Sequence, residues 1–153
     1  MTKLQVTTDV PTDIQMIRTF DAPRRLVIRA MTEPALIKKW LGNSRAAIVS
    51  AEVDFRVGGS YRYVFRRKDG VEFSFTGVYR EIAEDRVVHS ERFDDNPEEA
   101  TIITTWAERD GVTTMTIVMR FSSQAVRDMV VATGMESGAG ESYDNLAALV
   151  ATL

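Results

Sequence analysis

The sequence contains no cysteine and only one histidine, His89. The absence of cysteine excludes disulfides, thiolate metal sites and thiol nucleophiles, and it suits a reducing compartment. Any histidine-dependent triad or metal site would have to use His89, and a lone histidine in a strand of mixed polarity is typical of a surface residue. We therefore expect no metal, no cofactor and no catalytic residue.

Signals for a membrane or a nucleic acid are also missing. Residues 1–13 lack the basic and apolar regions of a signal peptide, and no apolar run reaches the length of a membrane span. The densest basic cluster, Arg66-Arg67-Lys68, is short, and the formal net charge is −3. The sequence therefore predicts a cytoplasmic protein with no membrane insertion and no nucleic-acid partner.

The chain has the size and composition of one globular domain. Its 153 residues are 44% apolar, which is enough for a core, and no linker rich in proline, glycine or serine interrupts them. We expect residues 1–12 to form a flexible N-terminus and residues 13–153 to form a single domain.

Hydrophobic periodicity divides this domain into elements. Residues 13–20 alternate as a strand, Asp21 is placed to cap a short helix with Pro23 in an early position, and a second short helix is expected to start near Thr32. From residue 46 the period becomes two, and Asp69-Gly70 and Asp110-Gly111 predict hairpins. A short helix over 124–133 and a longer apolar-striped helix complete the chain.

This order of elements predicts the fold class. One strand, two short helices, six strands and a long helix give the order β-α-α-β6-α. Short connections make neighbouring strands antiparallel, and a sheet with one apolar face needs a cover. We therefore expect an α+β protein in which a curved antiparallel sheet wraps around a long C-terminal helix.

Several phrases of the sequence resemble one known family. They are the stretch from Phe20-Asp21-Ala22-Pro23 to Trp40, the turn Val57-Gly58-Gly59-Ser60-Tyr61, the segment 76–82, Glu91-Arg92-Phe93, and the stretch from Gly134-Met135 to Leu146. Together they resemble the branch of the START (SRPBCC, birch-pollen-allergen-like) superfamily that is similar to activators of the Hsp90 ATPase, the Aha-like branch. The resemblance implies a helix-grip fold with a cavity between sheet and helix. Members of the superfamily bind lipids, hormones or polyketides, and a few are enzymes.

Rows of aromatic residues and methionines are the candidate lining of such a cavity. The same rows would also form an ordinary filled core, but buried tyrosine hydroxyls and deformable methionines favour a pocket. The predicted ligand-binding residues are Trp40, Phe55, Tyr61, Tyr63, Phe65, Phe75, Trp106, Met115, Ile117, Met119, Met135, Tyr143 and Leu146. Trp40 is expected either to close one end of the cavity as a gate or to anchor its helix.

Three functions remain open at this stage. The first is a binding protein for an apolar or amphipathic small molecule, either lipid-like or aromatic. The second is an enzyme of hydrolase, cyclase or dehydratase type in the same cavity, which needs an ionisable side chain there; the candidates are Glu91, Arg92, Glu108 and Glu141. The third is a chaperone co-regulator or stress-response interaction module. A homodimer is possible in each case.

Overall fold

The computed structural model describes residues 3–153, in which the strands form one antiparallel sheet. Its strands are β1 (Gln5–Thr7), β2 (Asp13–Phe20), β3 (Ala46–Val53), β4 (Ser60–Arg67), β5 (Glu72–Ala83), β6 (Arg86–Phe93), β7 (Glu99–Arg109) and β8 (Val112–Arg120). Its helices are α1 (Arg24–Thr32), α2 (Pro34–Trp40), α3 (Gln124–Ala132) and α4 (Met135–Val150). The strand order is β1-β2-β8-β7-β6-β5-β4-β3. The predicted α+β, helix-grip class is confirmed.

Tight turns set the antiparallel pairing, as the two Asp-Gly pairs predict. Asp110 and Gly111 alone connect β7 to β8, with φ angles of 53° and 76°. Positive φ at both central residues is the requirement of the two-residue turn that matches strand twist. Gly70, with φ of 88°, lies in the four-residue connection between β4 and β5. Both predicted hairpins are confirmed.

The starts of the first two helices differ from the sequence expectation. Pro23 is the N-cap of α1 and no side chain caps this helix, so the prediction that Asp21 caps it is wrong. Thr32 is the last residue of α1, and its hydroxyl donates to the carbonyl oxygen of Ile28 at 2.8 Å. The second helix begins instead at Pro34, whose fixed φ and missing N–H suit the first helical position.

β1 lies in the segment 1–12 that the sequence predicts to be flexible. It pairs with β2, and Val6 packs against the core. Arg127 of α3 holds the connection that follows, because its Nη1 donates to the carbonyl oxygens of Thr8 and Val10 at 3.1 Å and of Asp13 at 3.0 Å. A strand of three residues gives no periodic signal in the sequence. Arg127, which holds the connection after this strand, lies more than a hundred residues away along the chain.

The sheet bends at two β-bulges and one glycine. The pairing register shifts between Ile48 and Ser50 in β3 and between Tyr79 and Glu81 in β5. Bulges increase local twist and bend the bulged strand. A Cβ at Gly77 would lie 2.0 Å from the carbonyl oxygen of Ser90, so only glycine permits this close approach of β5 to its neighbours.

The two halves of α4 meet the sheet differently. Leu146 and Val150, near its C-terminal end, are buried in the core. Asp144 pairs with Arg18 of β2, whose side chain is fully buried. Farther towards the N-terminus of α4, five residues instead face an open space above the sheet: Met135, Gly138, Ala139, Ser142 and Tyr143.

We predict opposite stability effects for two glycine-to-alanine changes. In Gly77→Ala the new methyl would clash with the Ser90 carbonyl and with the Tyr61 ring 2.5 Å away, so we expect a loss of about 3 kcal/mol. Gly140→Ala, inside α4 with no atom within 4 Å of the new Cβ, should gain about 0.5–1 kcal/mol. Urea unfolding measures both changes, and a neutral Gly77→Ala would contradict this account of the bend.

Candidate functional site

A cavity of about 400 Å³ lies between the concave face of the sheet and the N-terminal half of α4. This volume falls within the range of about 300–1,000 Å³ that is common for small-molecule sites. Strands β2 to β8 supply most of its wall, and α1, α2 and the connection from α2 to β3 close one side. The helix therefore covers this part of the sheet without filling the space beneath it.

Most of the predicted ligand-binding residues line this cavity: Trp40, Phe55, Tyr63, Phe65, Phe75, Trp106, Ile117, Met119, Met135 and Tyr143. Tyr61, Met115 and Leu146 are not part of its wall. Tyr61 is buried, and its hydroxyl donates to the carbonyl oxygen of Ser90 at 2.7 Å. Met115 and Leu146 have no exposed surface and belong to the filled part of the core. A row of apolar residues in the sequence therefore does not distinguish the cavity wall from the filled core.

The chain has two tryptophans, and both line the cavity, with different constraints. The indole N–H of Trp40 donates to the carbonyl oxygen of Ala30 at 2.8 Å, and its ring stacks on Tyr143 at 5.7 Å between centroids. This buried and doubly held side chain anchors α2, which disfavours the gate hypothesis. The indole Nε1 of Trp106 is buried without a hydrogen-bond partner in the described structure.

Phenylalanines form one end of the wall. Phe65 stacks on Phe73 at 5.3 Å and meets Phe75 edge-to-face at 5.9 Å. Phe75 in turn contacts Phe93, whose side chain is 45% exposed. Phe55, which lines the cavity, is also 38% exposed. Such half-exposed aromatic rings are expected at the opening of an apolar site rather than in a closed core.

Glu91 is the acidic residue of the wall, on the face of β6 that also carries Val87 and His89. Within residues 3–153, no side chain or backbone group donates a hydrogen bond to its carboxyl group. Burial raises the pKa of Glu91 from 4.5 to about 7, because the apolar surroundings disfavour the charged form. The sequence suggested this residue only as one of four ionisable candidates.

The other three candidates are engaged elsewhere. Arg92 interacts with Glu99 at 3.4 Å, and both are exposed. Glu108 accepts a hydrogen bond from the backbone N–H of Arg24 at 2.6 Å. Glu141 accepts from the backbone N–H of Ser44 at 2.7 Å and from its hydroxyl at 2.9 Å, which fastens α4 to the connection between α2 and β3.

His89 lies in the cavity wall, so the prediction of a surface position is wrong. Its Nδ1 is 2.9 Å from the carbonyl oxygen of Ser90. A carbonyl only accepts, so Nδ1 carries the proton in this contact and Nε2 is left as an acceptor. Burial lowers the pKa of His89, which favours the neutral ring. Mixed polarity along β6 reflects a polar side of the cavity, not exposure to bulk solvent.

Tyrosine hydroxyls are further polar groups of the cavity wall. Burial raises the pKa of Tyr63 and of Tyr143 well above the ordinary value, and it raises the pKa of Tyr79 to about 12. All three are therefore neutral at physiological pH. The charge of Glu91 further raises the pKa of Tyr143, although no hydrogen bond joins these two side chains among the described contacts. The Glu91 carboxyl on the sheet and the Tyr143 hydroxyl on the helix therefore lie within electrostatic reach of each other.

Among residues 3–153, no group of three or more histidine, aspartate or glutamate side chains could hold a metal ion. In the same range, each helix is too short or too polar to cross a lipid bilayer.

We predict that Glu91 makes the free energy of unfolding depend on pH. In the folded protein the pKa of Glu91 is about 7, whereas in the unfolded chain it is near 4.5. Between these values the folded state binds more protons, so the stability of the wild type falls as pH rises. Relative to Glu91→Gln, which cannot ionise, we expect a loss of about 1–3 kcal/mol between about pH 5 and about pH 8.

Urea unfolding of both proteins across this pH range measures the effect. Glu52→Gln is the control, because Glu52 is exposed on β3 and its replacement removes the same charge outside the cavity. A difference between wild type and Glu91→Gln that does not change with pH would show that the carboxyl group is solvated.

Comparisons with known proteins agree with this architecture. The crystal structure of a protein from Rhodobacter sphaeroides has a TM-score of 0.92 to this chain and 24% sequence identity. The match covers 99% of this chain and 100% of that one. A Chromobacterium violaceum crystal structure is 30% identical with a TM-score of 0.77, covering 92% and 98%. An AHSA1 protein from Silicibacter pomeroyi is 17% identical with a TM-score of 0.74 and the same coverage.

Curated proteins and family models give two further results. No curated protein matches the chain significantly. The model of the family described as activator of Hsp90 ATPase homolog 1-like protein matches residues 21–151, which is most of the chain. The chain therefore belongs to the activator of Hsp90 ATPase homolog 1-like family.

Proposed function

We propose that this protein binds an apolar or amphipathic small molecule in the cavity between the sheet and α4. The observation that carries the proposal is the space of about 400 Å³ that the helix covers but does not fill. A cavity of this size lined by aromatic and methionine side chains leaves apolar surface in contact with water instead of packing it. A ligand removes this surface from water and packs against the side chains.

The contacts of α4 support a permanent site rather than a collapsed one. Ser142 donates to the carbonyl oxygen of Gly42 at 2.9 Å, and Glu141 accepts from Ser44. Farther along the helix, Asp144 pairs with Arg18. These polar contacts fix the height of the helix above the sheet, so the walls cannot approach each other without breaking them.

The wall has the composition of a site for a mainly apolar ligand with a polar group. Aromatic rings and methionines supply most of the surface, and a few polar groups set orientation. These polar groups include the Glu91 carboxyl and the Nε2 atom of His89. A simple hydrocarbon would leave both unsatisfied, so an amphipathic ligand fits better than a purely apolar one.

Catalysis in the same cavity is a second candidate, and Glu91 favours it. A carboxyl group with a pKa of about 7 exchanges protons readily at neutral pH, which is what a general acid or base requires. His89 lies two residues away on the same face of β6 as a possible acceptor. The chaperone, stress-response and homodimer alternatives stay predictions.

We expect a bulky residue on the cavity side of α4 to block ligand binding. Ala139 lines the cavity, whereas Ala148 is exposed on the same helix. Ala139→Phe should weaken binding of the neutral dye N-phenyl-1-naphthylamine by roughly tenfold or more, because its ring occupies the ligand space. Ala148→Phe, the matched control, should bind like the wild type. Dye fluorescence and quenching of Trp40 and Trp106 report binding, and thermal unfolding checks that each variant folds.

Two results would contradict the binding proposal. One is the absence of dye binding to the wild type under conditions in which it is folded. The other is unchanged binding to folded Ala139→Phe, which would place the dye outside the cavity.

For the catalytic candidate, the expected outcome is that incubation with a panel of small-molecule metabolites shows turnover with a pH limb near about 7. Glu91→Gln should abolish this turnover while still binding the substrate. Mass spectrometry of the panel measures conversion. Turnover that persists in Glu91→Gln would exclude Glu91 as the acid or base.

A further inference from the structure

We propose that the ligand of this cavity carries a cationic amine that forms an ion pair with Glu91, while its apolar body lies against the aromatic wall. This inference rests on the proposed binding function and specifies the chemical class of the ligand.

The first argument is that Glu91 lacks a partner. Its carboxyl group lies in the wall, and among residues 3–153 nothing donates a hydrogen bond to it or pairs with it. Leaving an ionisable group desolvated and unpaired is costly, and proteins normally supply such a group with a donor. The missing donor is therefore expected on the ligand, and an ammonium group is the strongest donor for a carboxylate.

The second argument comes from the charged and titratable groups around Glu91. Those that share the cavity wall are Tyr63 on β4, Tyr79 on β5, His89 on β6, Tyr143 on α4 and Arg45 at the edge. Tyr61, beneath the wall, also lies within electrostatic reach of Glu91. The tyrosines and the histidine are neutral at physiological pH, because burial raises the pKa of the tyrosine hydroxyls and lowers that of His89. They provide no positive charge to balance Glu91.

Arg45 is the one cation of the wall in the described chain, and it is committed elsewhere. It is exposed, and its Nη1 donates to the carbonyl oxygens of Thr133 at 3.4 Å and Gly134 at 3.2 Å. It therefore belongs to the attachment of α4 rather than to the interior. An anionic ligand would meet Glu91 without a compensating cation inside.

The third argument is the aromatic character of the surroundings. The rings of Tyr63 and Tyr143 lie in the same wall as Glu91, and the charge of Glu91 acts on both hydroxyls. Faces of aromatic rings attract cations, with the greatest effect where water is excluded. A carboxylate among aromatic rings thus selects an ammonium group over a neutral or anionic one, and the phenylalanine end of the cavity accepts the apolar body.

The test compares two series of matched probes that differ only in the polar group. The aromatic series is naphthylethylamine, naphthylethanol and naphthylacetate, and the aliphatic series is decylamine, decanol and decanoate. Isothermal titration calorimetry at about pH 8 measures their affinities for the wild type and for folded Glu91→Gln, with Glu52→Gln as the control for net charge. In at least one series we expect the amine to bind roughly tenfold tighter than the alcohol, with the acid weakest.

Glu91→Gln should remove the advantage of the amine over the alcohol, and Glu52→Gln should leave that advantage unchanged. The amine's affinity for the wild type should also fall as pH decreases through about 7, because Glu91 then becomes neutral, and this dependence should vanish in Glu91→Gln.

The following results would contradict one of the two proposals. The amine proposal would be overturned, with the binding function left standing, if in neither series the amine bound the wild type more tightly than both its alcohol and its acid. An amine advantage that survives in Glu91→Gln would overturn it as well. Failure of all six probes to bind the folded wild type would overturn the binding function itself.

Discussion

The unequal attachment of α4 is the constraint on which the rest of the structure depends. Leu146 and Val150 bury one half of the helix in the core, and the fully buried side chain of Arg18 reaches Asp144 beside them. The other half is held at its flank by polar contacts to the connection after α2. A purely apolar helix would sink onto the sheet to gain contacts. Directional hydrogen bonds instead fix its distance, and the space beneath it is the consequence.

That fixed distance also explains the electrostatics of Glu91. With α4 held above the sheet, neither Tyr143 nor any other residue among 3–153 donates a hydrogen bond to the carboxyl group, and burial raises its pKa. The resulting desolvation opposes folding whenever Glu91 is charged. Local features that reduce stability without an evident compensation in the fold are characteristic of functional sites. Glu91 is such a feature, and its surroundings rather than its sequence context create it.

The sequence predicts the strands, the hairpins and the covering helix because period-two rows and Asp-Gly turns are local signals. It does not tell which face of β6 is concave, since polar residues occur on both faces of this strand: His89 and Glu91 on one, Ser90 on the other. The bulges in β3 and β5 and the close contact at Gly77 decide how the sheet bends. The same limit applies to Tyr61 and Met115, which continue apolar rows but are buried in the filled core. Cavity and core are distinguished by the height of α4, a long-range property.

Family membership fixes the fold of this chain more firmly than its activity. Activation of an ATPase requires a surface that a second protein recognises, whereas the most exposed large apolar residues, Met129 and Val57, lie on separate elements, α3 and the turn before β4. Exposed apolar side chains are common on globular domains and do not by themselves identify such a surface. The unusual chemistry of the described chain is instead internal: an unpaired carboxyl group and a neutral histidine beside an apolar space. Because function is determined by the site rather than the fold, these interior groups are the stronger guide to what the protein recognises.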